Sequence, residues 1–440
     1  MKKIILLLLI VFTFLISSFS LSLEEAKELA LKNNPELLSK IEAKRSSNWS
    51  LFNSRLDLFP GVSLSGSYME YDPTIPAMSP PFEQVSAESF SLVVSQPVFN
   101  GGKIWLGSGI QRDLSEIASH NLTSQELKTI SEVESKYFSV LEMSEFLKIA
   151  ELDLKLAQLN LGTAEVRYKL GTISRAEYLN MKSQVASKEV TLIQTQNRYE
   201  LSILDLSKFL QIPKDFTVEP LPLEQYEDWI ESVRKQDQGS FQEILNQVLE
   251  IAQLNNPTLK ISDLSTSMKL KSLKMAKGNF LPSVNLSYSK SWDKADYEED
   301  YSDQSISMVT VSIPIFSYAN HYAEYQKAKH DLEESKYSTQ STQDNITLLI
   351  EQSFYNLISS ARMVYSAKIA LDFAEETYEQ MSVRYQNNII SSQDLLDVEI
   401  LLTSSRNQYI NSYYDFLRAK SSLLNQMGEK NENILFKLFN

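Results

Sequence analysis

The sequence has no cysteine, no basic cluster and, beyond its first residues, no long hydrophobic run. The absence of cysteine excludes a disulfide framework, a thiolate metal site and a lipid anchor on an N-terminal cysteine. The formal net charge of −14 argues against a nucleic-acid partner, because phosphates require clustered Lys and Arg. At 440 residues, the chain is long enough for two or three globular domains or one large elongated one.

Catalytic and metal-binding constellations are also missing from the sequence. The three histidines, His120, His321 and His330, have no cysteine or paired carboxylate at ligand spacing, and there is no nucleophile elbow. The stretch NGGK at 100–103 has only part of a phosphate-binding loop, and a strand that turns into a helix explains it. We therefore expect no enzymatic activity, no cofactor and no metal site.

The first 20 residues have the three parts of a secretory signal peptide. Lys2 and Lys3 precede an apolar run from Ile4 to Ile16, and the small residues SSFS follow. A membrane-spanning helix would need about 20 apolar residues, more than this run provides. We expect residues 1–20 to be removed, with cleavage near Ser20.

The two halves of the chain repeat each other. Pro35 of NNPELL aligns with Pro257 of NNPTLK, and the strand-like segments LFPGVSLSGSY and FLPSVNLSYSK align at the same shift. After a loop of different length the shift becomes slightly smaller, and Pro97 then aligns with Pro314. Since lengths vary in surface loops, each half is interpreted as helix, strand, loop, strand, long helix, turn and return helix.

This repeat predicts the segments of the chain. In a first repeat at 21–212 we expect helices at 22–57, strands at 61–71 and 87–98, a long helix at 102–170 and a return helix at 174–211. In a second repeat at 241–428 we expect helices at 241–279, strands at 283–292 and 304–316, a long helix at 318–387 and a return helix at 391–428. An equatorial linker at 213–240 joins the repeats, and 429–440 form a C-terminal tail.

The strands and long helices are predicted from periodicity. Apolar residues alternate with serines in the strands, which have about the 10-residue length of a membrane-crossing β-strand, although a small soluble sheet alternates in the same way. The long helices contain no proline, and at 1.5 Å per residue each would be roughly 100 Å long. The spacing of a coiled-coil seam against a partner helix is seen at Leu152, Leu156, Leu159, Val166 and Leu170.

Four strands of membrane length cannot close a barrel alone, because the smallest closed bacterial barrels have about eight strands. Open sheet edges are not tolerated in lipid, so the subunit must borrow strands from other copies. Two copies would give eight strands and three would give twelve. The predicted fold class is mainly α with a small β part, in which an oligomeric β-barrel is continued by a helical tube.

Several short motifs occur in the same order in both halves: NNP at 33–35 and 255–257, FPGVSLSGSY and LPSVNLSYS, QPVFNGGK at 96–103, and RY at 167–168 and 384–385. With this set the sequence resembles the TolC-like outer-membrane efflux family. The resemblance implies a homotrimer with a twelve-stranded β-barrel in outer-membrane lipid and a long, internally duplicated periplasmic α-helical barrel.

The resemblance also implies a function. The family members are passive exit ducts of tripartite efflux or type I secretion systems, gated at the periplasmic tip. Such a duct would work with a periplasmic adaptor (membrane fusion) protein and an inner-membrane pump of the RND, ABC or MFS type. The alternative is a periplasmic coiled-coil adaptor or scaffold protein, which would have one helical hairpin where this chain has two.

Two turns would form the periplasmic tip. In RYKLGTIS, Gly171 permits the left-handed conformation that ends a helix, and Ser174 can cap the next helix. In RYQNNIIS, asparagine takes the place of the glycine. By family position, the residues expected to contact the adaptor are Arg167, Tyr168, Leu170, Gly171, Thr172, Ile173, Arg384 and Asn388.

A gate is expected beside these turns. Asp394 and Asp397 lie three residues apart and share a helix face, and by the resemblance they project into the lumen at its narrowest point. Three copies would form two acidic rings that favour cations, whereas a solvated helix face is the simpler alternative. The first-repeat counterparts are Glu177 and Asn180, and by family position Tyr385 and Glu177 help to hold the gate closed.

Overall fold

The computed structural model describes residues 19–70, 86–221, 226–295, 299–315, 317–387 and 389–439. Most of the predicted signal peptide, the loop at 71–85 and Asn388 lie outside the described residues. In chain order the elements are β1 (Phe19–Leu21), α1 (Leu23–Asn33), α2 (Pro35–Leu56), β2 (Gly61–Glu70), β3 (Ser86–Asn100), α3 (Lys103–Lys169), α4 (Arg175–Leu210), β4 (Phe216–Val218), α5 (Glu227–Lys235), α6 (Gln238–Asn255), α7 (Pro257–Gly278), β5 (Ser283–Ala295), β6 (Ser302–Ser312), α8 (Tyr318–Gln386), α9 (Ser392–Met427) and α10 (Asn433–Phe439). The prediction of a mainly α fold with a small β part is confirmed.

The chain forms two compact units, and each unit contains segments of both repeats. The first unit consists of Met1–Ser39, Thr123–Pro257 and Asp344–Asn440, and the second consists of Lys40–Leu122 and Thr258–Gln343. The second unit contains the four-stranded sheet, and the first contains the two turns between long and return helices. The sequence repeat therefore describes the order of elements along the chain, while packing joins equivalent parts of the two repeats.

The sheet of the second unit is antiparallel, with the strand order β2, β3, β5, β6. Leu64 pairs with Leu92, and Leu286 pairs with Val309. Because alternate residues of a strand point to the same side, most of the apolar side chains of the four strands share one face. This face also carries Tyr68, which pairs with residue 88 of β3.

The opposite face of the sheet is rich in serine. Ser91 pairs with Ser65 on one side and with Ser291 on the other, and Ser95 pairs with Ser287. Both edge strands, β2 and β6, are exposed along their whole length. Within the described chain, each edge strand has only one neighbour, so the sheet has two open edges.

The long helices are single uninterrupted elements. Helix α3 has 67 residues and α8 has 69, and each is followed by a return helix of 36 residues. Within the residues that the structure describes, no helix has a stretch long and apolar enough to cross a membrane.

The seam predicted on α3 does not form inside the chain. Leu152, Leu159 and Val166 are 40%, 61% and 58% exposed, whereas Ala157 and Ala164, also seven residues apart, are buried. Small alanine side chains allow neighbouring helices to approach closely, so they form the internal contact. A heptad pattern identifies residues that share a helix face, but it does not identify the partner of that face.

The linker and the C-terminal tail are more ordered than the sequence predicts. The linker at 213–240 contains β4, which pairs in parallel with β1, and α5, which buries Trp229 and Val233. In the tail, Phe436 and Phe439 of α10 pack on the indole of Trp229 with ring centroids 5.0 and 5.9 Å apart. Segments of three to nine residues are too short to show a clear helical or strand period, so the sequence does not indicate these elements.

Candidate functional site: the two helical turns

The first turn closes α3 with a defined hydrogen-bond pattern. The amide of Gly171 donates to the carbonyl of Tyr168 over 3.0 Å, and the amide of Thr172 donates to the carbonyl of Arg167 over 2.9 Å. Gly171 has a φ of 74°. These two bonds and the left-handed glycine form a Schellman motif, a common way of ending a helix.

The second turn repeats this closure in the second half of the chain. The amide of Ile389 donates to the carbonyl of Arg384 over 2.9 Å, in the place of the Thr172 bond. Asn388, the predicted counterpart of Gly171, lies outside the described residues. The two turns, which have similar sequences, thus share a backbone hydrogen bond at the same position.

The two return helices begin with serine caps that differ in one respect. Ser174 accepts from the amide of Glu177 over 3.1 Å, and Ser391 accepts from the amide of Asp394 over 3.2 Å. Only Asp394 completes a capping box, because its carboxylate accepts from the Ser391 hydroxyl over 2.8 Å and from the Ser391 amide over 3.0 Å. These bonds hold the pKa of Asp394 below its usual value, so the carboxylate stays ionised.

Glu177 uses its carboxylate in a different way, as a link between the two hairpins. The hydroxyl of Ser392 at the start of α9 donates to Glu177 over 2.7 Å. The guanidinium of Arg167 donates to the carbonyl of Tyr385 over 2.7 Å and lies 4.4 Å from the centre of the Tyr385 ring. Tyr385 itself is buried. Glu177 and Tyr385, which the resemblance places at the gate, are thus joined to the other hairpin by Ser392 and by Arg167. By family position Arg167 is expected at the adaptor contact, and the sequence indicates no role for Ser392.

The predicted adaptor-contact residues differ in exposure. Leu170 is 74% exposed, and Gly171, Thr172 and Arg384 are also exposed. Ile173 instead packs on a small apolar cluster of Ala164, Met181 and Leu396. Tyr168 stacks on Tyr178 with ring centroids 5.2 Å apart.

The two predicted lumen carboxylates are both at the surface of the chain. Asp394 and Asp397 are exposed, and Gln393 donates to Asp397 over 3.0 Å. Asn180, the first-repeat counterpart of Asp397, is exposed as well. Across the ranges that the structure describes, no group of three or more His, Asp or Glu side chains is placed to hold a metal ion.

The fold and these turns agree with comparisons to known proteins. The outer membrane efflux protein family matches residues 27–210 and 248–429, well over half of the chain. The chain belongs to the outer membrane efflux protein family. The match covers both repeats and omits the linker between them.

Individual relatives of the family are distant in sequence. The chain is 22% identical over 460 residues to outer membrane protein TolC of Escherichia coli K12, covering 100% of this chain and 89% of the relative. It is 20% identical over 426 residues to the alkaline protease secretion protein AprF of Pseudomonas aeruginosa, covering 92% and 84%. The solved Campylobacter jejuni CmeC outer membrane channel has the same fold, with a TM-score of 0.76, 16% identity and coverage of 94% and 88%.

Family membership determines the location and the general function. The chain is an outer-membrane channel with a large periplasmic helical part, and it is an exit duct for efflux or secretion. The family is one of transport channels, which act with adaptor and inner-membrane components.

Proposed function

We propose that the chain works as a homotrimeric, passive exit duct that is gated at the two helical turns. The observation that carries this proposal is the four-stranded sheet with two open edges. Unpaired backbone groups are too costly in lipid for an open sheet to persist there. Closure by three copies gives twelve strands, with the apolar face towards lipid and the serine-rich face towards the lumen.

Exposed apolar rows on the helices also support assembly of copies. Leu159 and Val166 project from α3, and Ile193 and Leu201 of α4 are 67% and 54% exposed. Contiguous exposed apolar surface in a folded chain indicates an interaction site. In the proposed trimer these rows pack against the helices of neighbouring copies.

The turns would carry the gate and the contact with an adaptor. Links from Arg167 to Tyr385 and from Ser392 to Glu177 hold the two hairpins of one subunit together. Exposed apolar side chains next to these links, Leu170 and Ile389, offer a surface for a periplasmic adaptor. The proposal assigns the energy source to an inner-membrane pump of the RND, ABC or MFS type, and it assigns no enzymatic activity to this chain.

Selectivity of single channels tests the acidic constriction. We expect Asp394→Asn with Asp397→Asn to lower the cation-to-anion permeability ratio in planar bilayers towards one, because six carboxylates are lost from the proposed constriction. Asparagine keeps a carbonyl that can accept the capping bonds of Ser391, so the helix start is preserved. Glu165→Gln, which removes an exposed carboxylate paired with Lys169 over 2.8 Å, is the control. An unchanged ratio in the double variant would exclude the acidic rings.

Resting conductance tests the gate. Arg167→Ala removes a charged hydrogen bond and the contact with the Tyr385 ring, and a hydrogen bond to a charged group contributes about 1.5–3 kcal/mol. We expect open-state occupancy to rise about tenfold or more per subunit. Arg167→Lys keeps the charge but not the planar donor group, so it should give an intermediate effect. A closed Arg167→Ala channel would show that this contact does not hold the gate.

A further inference from the structure

A group of polar side chains lies between the two hairpins, away from the turns. It consists of Asp153 and Asn160 on α3, Lys188 on α4, and Glu399 and Thr403 on α9, and we call it the polar layer. The ammonium of Lys188 lies 2.5 Å from the carboxylate of Asp153, which also accepts from the Thr403 hydroxyl over 2.8 Å. Asn160 donates to the carboxylate of Glu399 over 2.5 Å. Two of these contacts, Asp153 with Thr403 and Asn160 with Glu399, join the first hairpin to the second.

The polar layer is partly shielded from solvent, with Asn160, Lys188, Glu399 and Thr403 half-buried. Asp153 is 9% exposed, and Leu402, which contacts the same small cavity, is 3% exposed. From the helix rise, the layer lies roughly 10–25 Å from the turns, so it is separate from the Arg167 and Glu177 links. Removing an ionised group from water is costly unless it is paired, and the half-buried Glu399 has a neutral amide as its hydrogen-bond donor.

The layer is not a product of the duplication. In the alignment that pairs Pro97 with Pro314, the counterparts of Asp153 and Lys188 are Ala370 and Ser405, and the counterpart of Glu399 is Lys182. Of these counterparts, Ala370 and Lys182 are exposed, and only Ser405 is buried. The charges of Asp153, Lys188 and Glu399 therefore have no buried charged equivalent at these positions of the other repeat.

We propose that the polar layer is a proton-sensitive link between the two hairpins, which holds them together when Glu399 is protonated and loosens when Glu399 ionises. This inference rests on the proposed gating function and adds a second level of control to it. Neutral Glu399 is compatible with burial beside the carboxylate of Asp153, whereas ionised Glu399 is both desolvated and repelled by it. The link therefore responds to the pH of the compartment around the helices.

The groups around Glu399 determine the pH range. Burial raises the pKa of Glu399 to about 7, and the charge of Asp153 adds to the rise. Lys188 and the Asn160 hydrogen bond oppose it. On α8, Tyr378 and Tyr385 also interact electrostatically with Glu399, and Arg406 of α9 interacts with Tyr378.

The sign of the effect follows from linkage. When the hairpins separate, Glu399 is exposed to water and its pKa returns to about 4.5. Below pH 4.5 both states are protonated, so the link has its full strength. Between pH 4.5 and 7 the separated state loses its proton first, and the packed state is progressively disfavoured as pH rises. Acidic pH thus favours closure and neutral to alkaline pH favours opening.

The first test measures open probability of the full-length channel in planar bilayers from pH 5 to 9. We expect the open probability of the wild-type channel to rise at least about tenfold across this range, with a plateau above pH 7. Glu399→Gln should remain at the low-pH level throughout. Asn160→Ala should shift the midpoint to higher pH, because the ionised carboxylate loses its donor. Glu379→Gln is the control, and it should behave like the wild type. Glu379 is exposed and lies seven residues before the end of α8, just as Glu399 lies seven residues after the start of α9.

The second test does not depend on channel formation. Because the chain has no cysteine, Leu402→Cys introduces a single thiol into the layer. The rate at which a water-soluble maleimide labels this thiol is divided by the rate for unfolded protein at the same pH. We expect this ratio to increase between pH 5 and 8, and to stay constant when Glu399→Gln is added. Identical pH responses with and without Glu399→Gln would overturn the link. A protein that forms no channels but shows the Glu399-dependent labelling would refute the duct and leave the link supported.

Discussion

Replacement of Glu432 by alanine is expected to destabilise the first unit by about 3–5 kcal/mol, more than replacement of its partner Lys420 by methionine. Lys420 on α9 is 2% exposed, and its ammonium contacts the carboxylate of Glu432 and the hydroxyl of Tyr226, the latter over 3.2 Å. Burial alone would lower the pKa of Lys420, but Tyr226, Glu432 and Glu134 outweigh it and raise the pKa. The lysine therefore stays charged inside the protein.

The expected asymmetry follows from the different burial of the two partners. Without Glu432, the ammonium of Lys420 stays buried and loses its ion-pair partner, with only Tyr226 and the more distant charge of Glu134 left to compensate. Without the ammonium, the Glu432 side chain, which is 42% exposed in the native pair, can be hydrated. Lys420→Met keeps most of the side-chain volume and should cost only about 1 kcal/mol.

Denaturant unfolding of the purified full-length protein measures both effects. Lys430→Ala is the control. Lys430 pairs with Glu126 in the same unit, and its side chain is 49% exposed. The loss of unfolding free energy should therefore stay below about 1 kcal/mol. Limited proteolysis gives a second readout, since Glu432 precedes α10 and Glu432→Ala should speed cleavage in the tail. A larger loss of stability for Lys420→Met than for Glu432→Ala would contradict the explanation by a buried charge.

Local signals made much of this fold predictable. The alternating serines of the strands, the proline-free long helices and the glycine of RYKLGTIS each act within a few residues, and the structure has a strand, a helix or a turn at these places. The Ser-x-x-Asp pattern at Ser391 and Asp394 is local as well. For Asp394, however, the resemblance implies only the lumen role, and the capping box is not among the predictions.

Contacts between distant residues could not be predicted in this way. Asn160 and Glu399 are 239 residues apart, and no periodicity connects them. The same limit explains the α3 seam, where Leu159 and Ala157 both fit a heptad and only packing decides which faces inward. Lys420 shows a further limit, because a lysine on a long polar helix is normally expected at the surface.

The second large effect is expected at the junction between β3 and α3, where two consecutive glycines have different roles. Gly101 and Gly102 have φ values of 68° and 78°. A Cβ on Gly101 would lie 2.2 Å from the carbonyl oxygen of Gly278 at the end of α7, whereas a Cβ on Gly102 would meet no atom within 4 Å. Gly101→Ala should therefore cost about 3 kcal/mol or more, and Gly102→Ala only the backbone strain of about 1–2 kcal/mol.

Gly278→Ala separates the two contributions. Gly278 does not have a positive φ, but a Cβ there would lie 2.4 Å from the carbonyl oxygen of Gly101, so this variant tests the close approach without the backbone strain. The loss for Gly101→Ala, measured by denaturant unfolding, should be close to the combined losses for Gly102→Ala and Gly278→Ala. Equal losses of stability for Gly101→Ala and Gly102→Ala would mean that the close approach of β3 to α7 contributes nothing to the cost of a side chain at Gly101. In that case backbone conformation alone would explain both glycines.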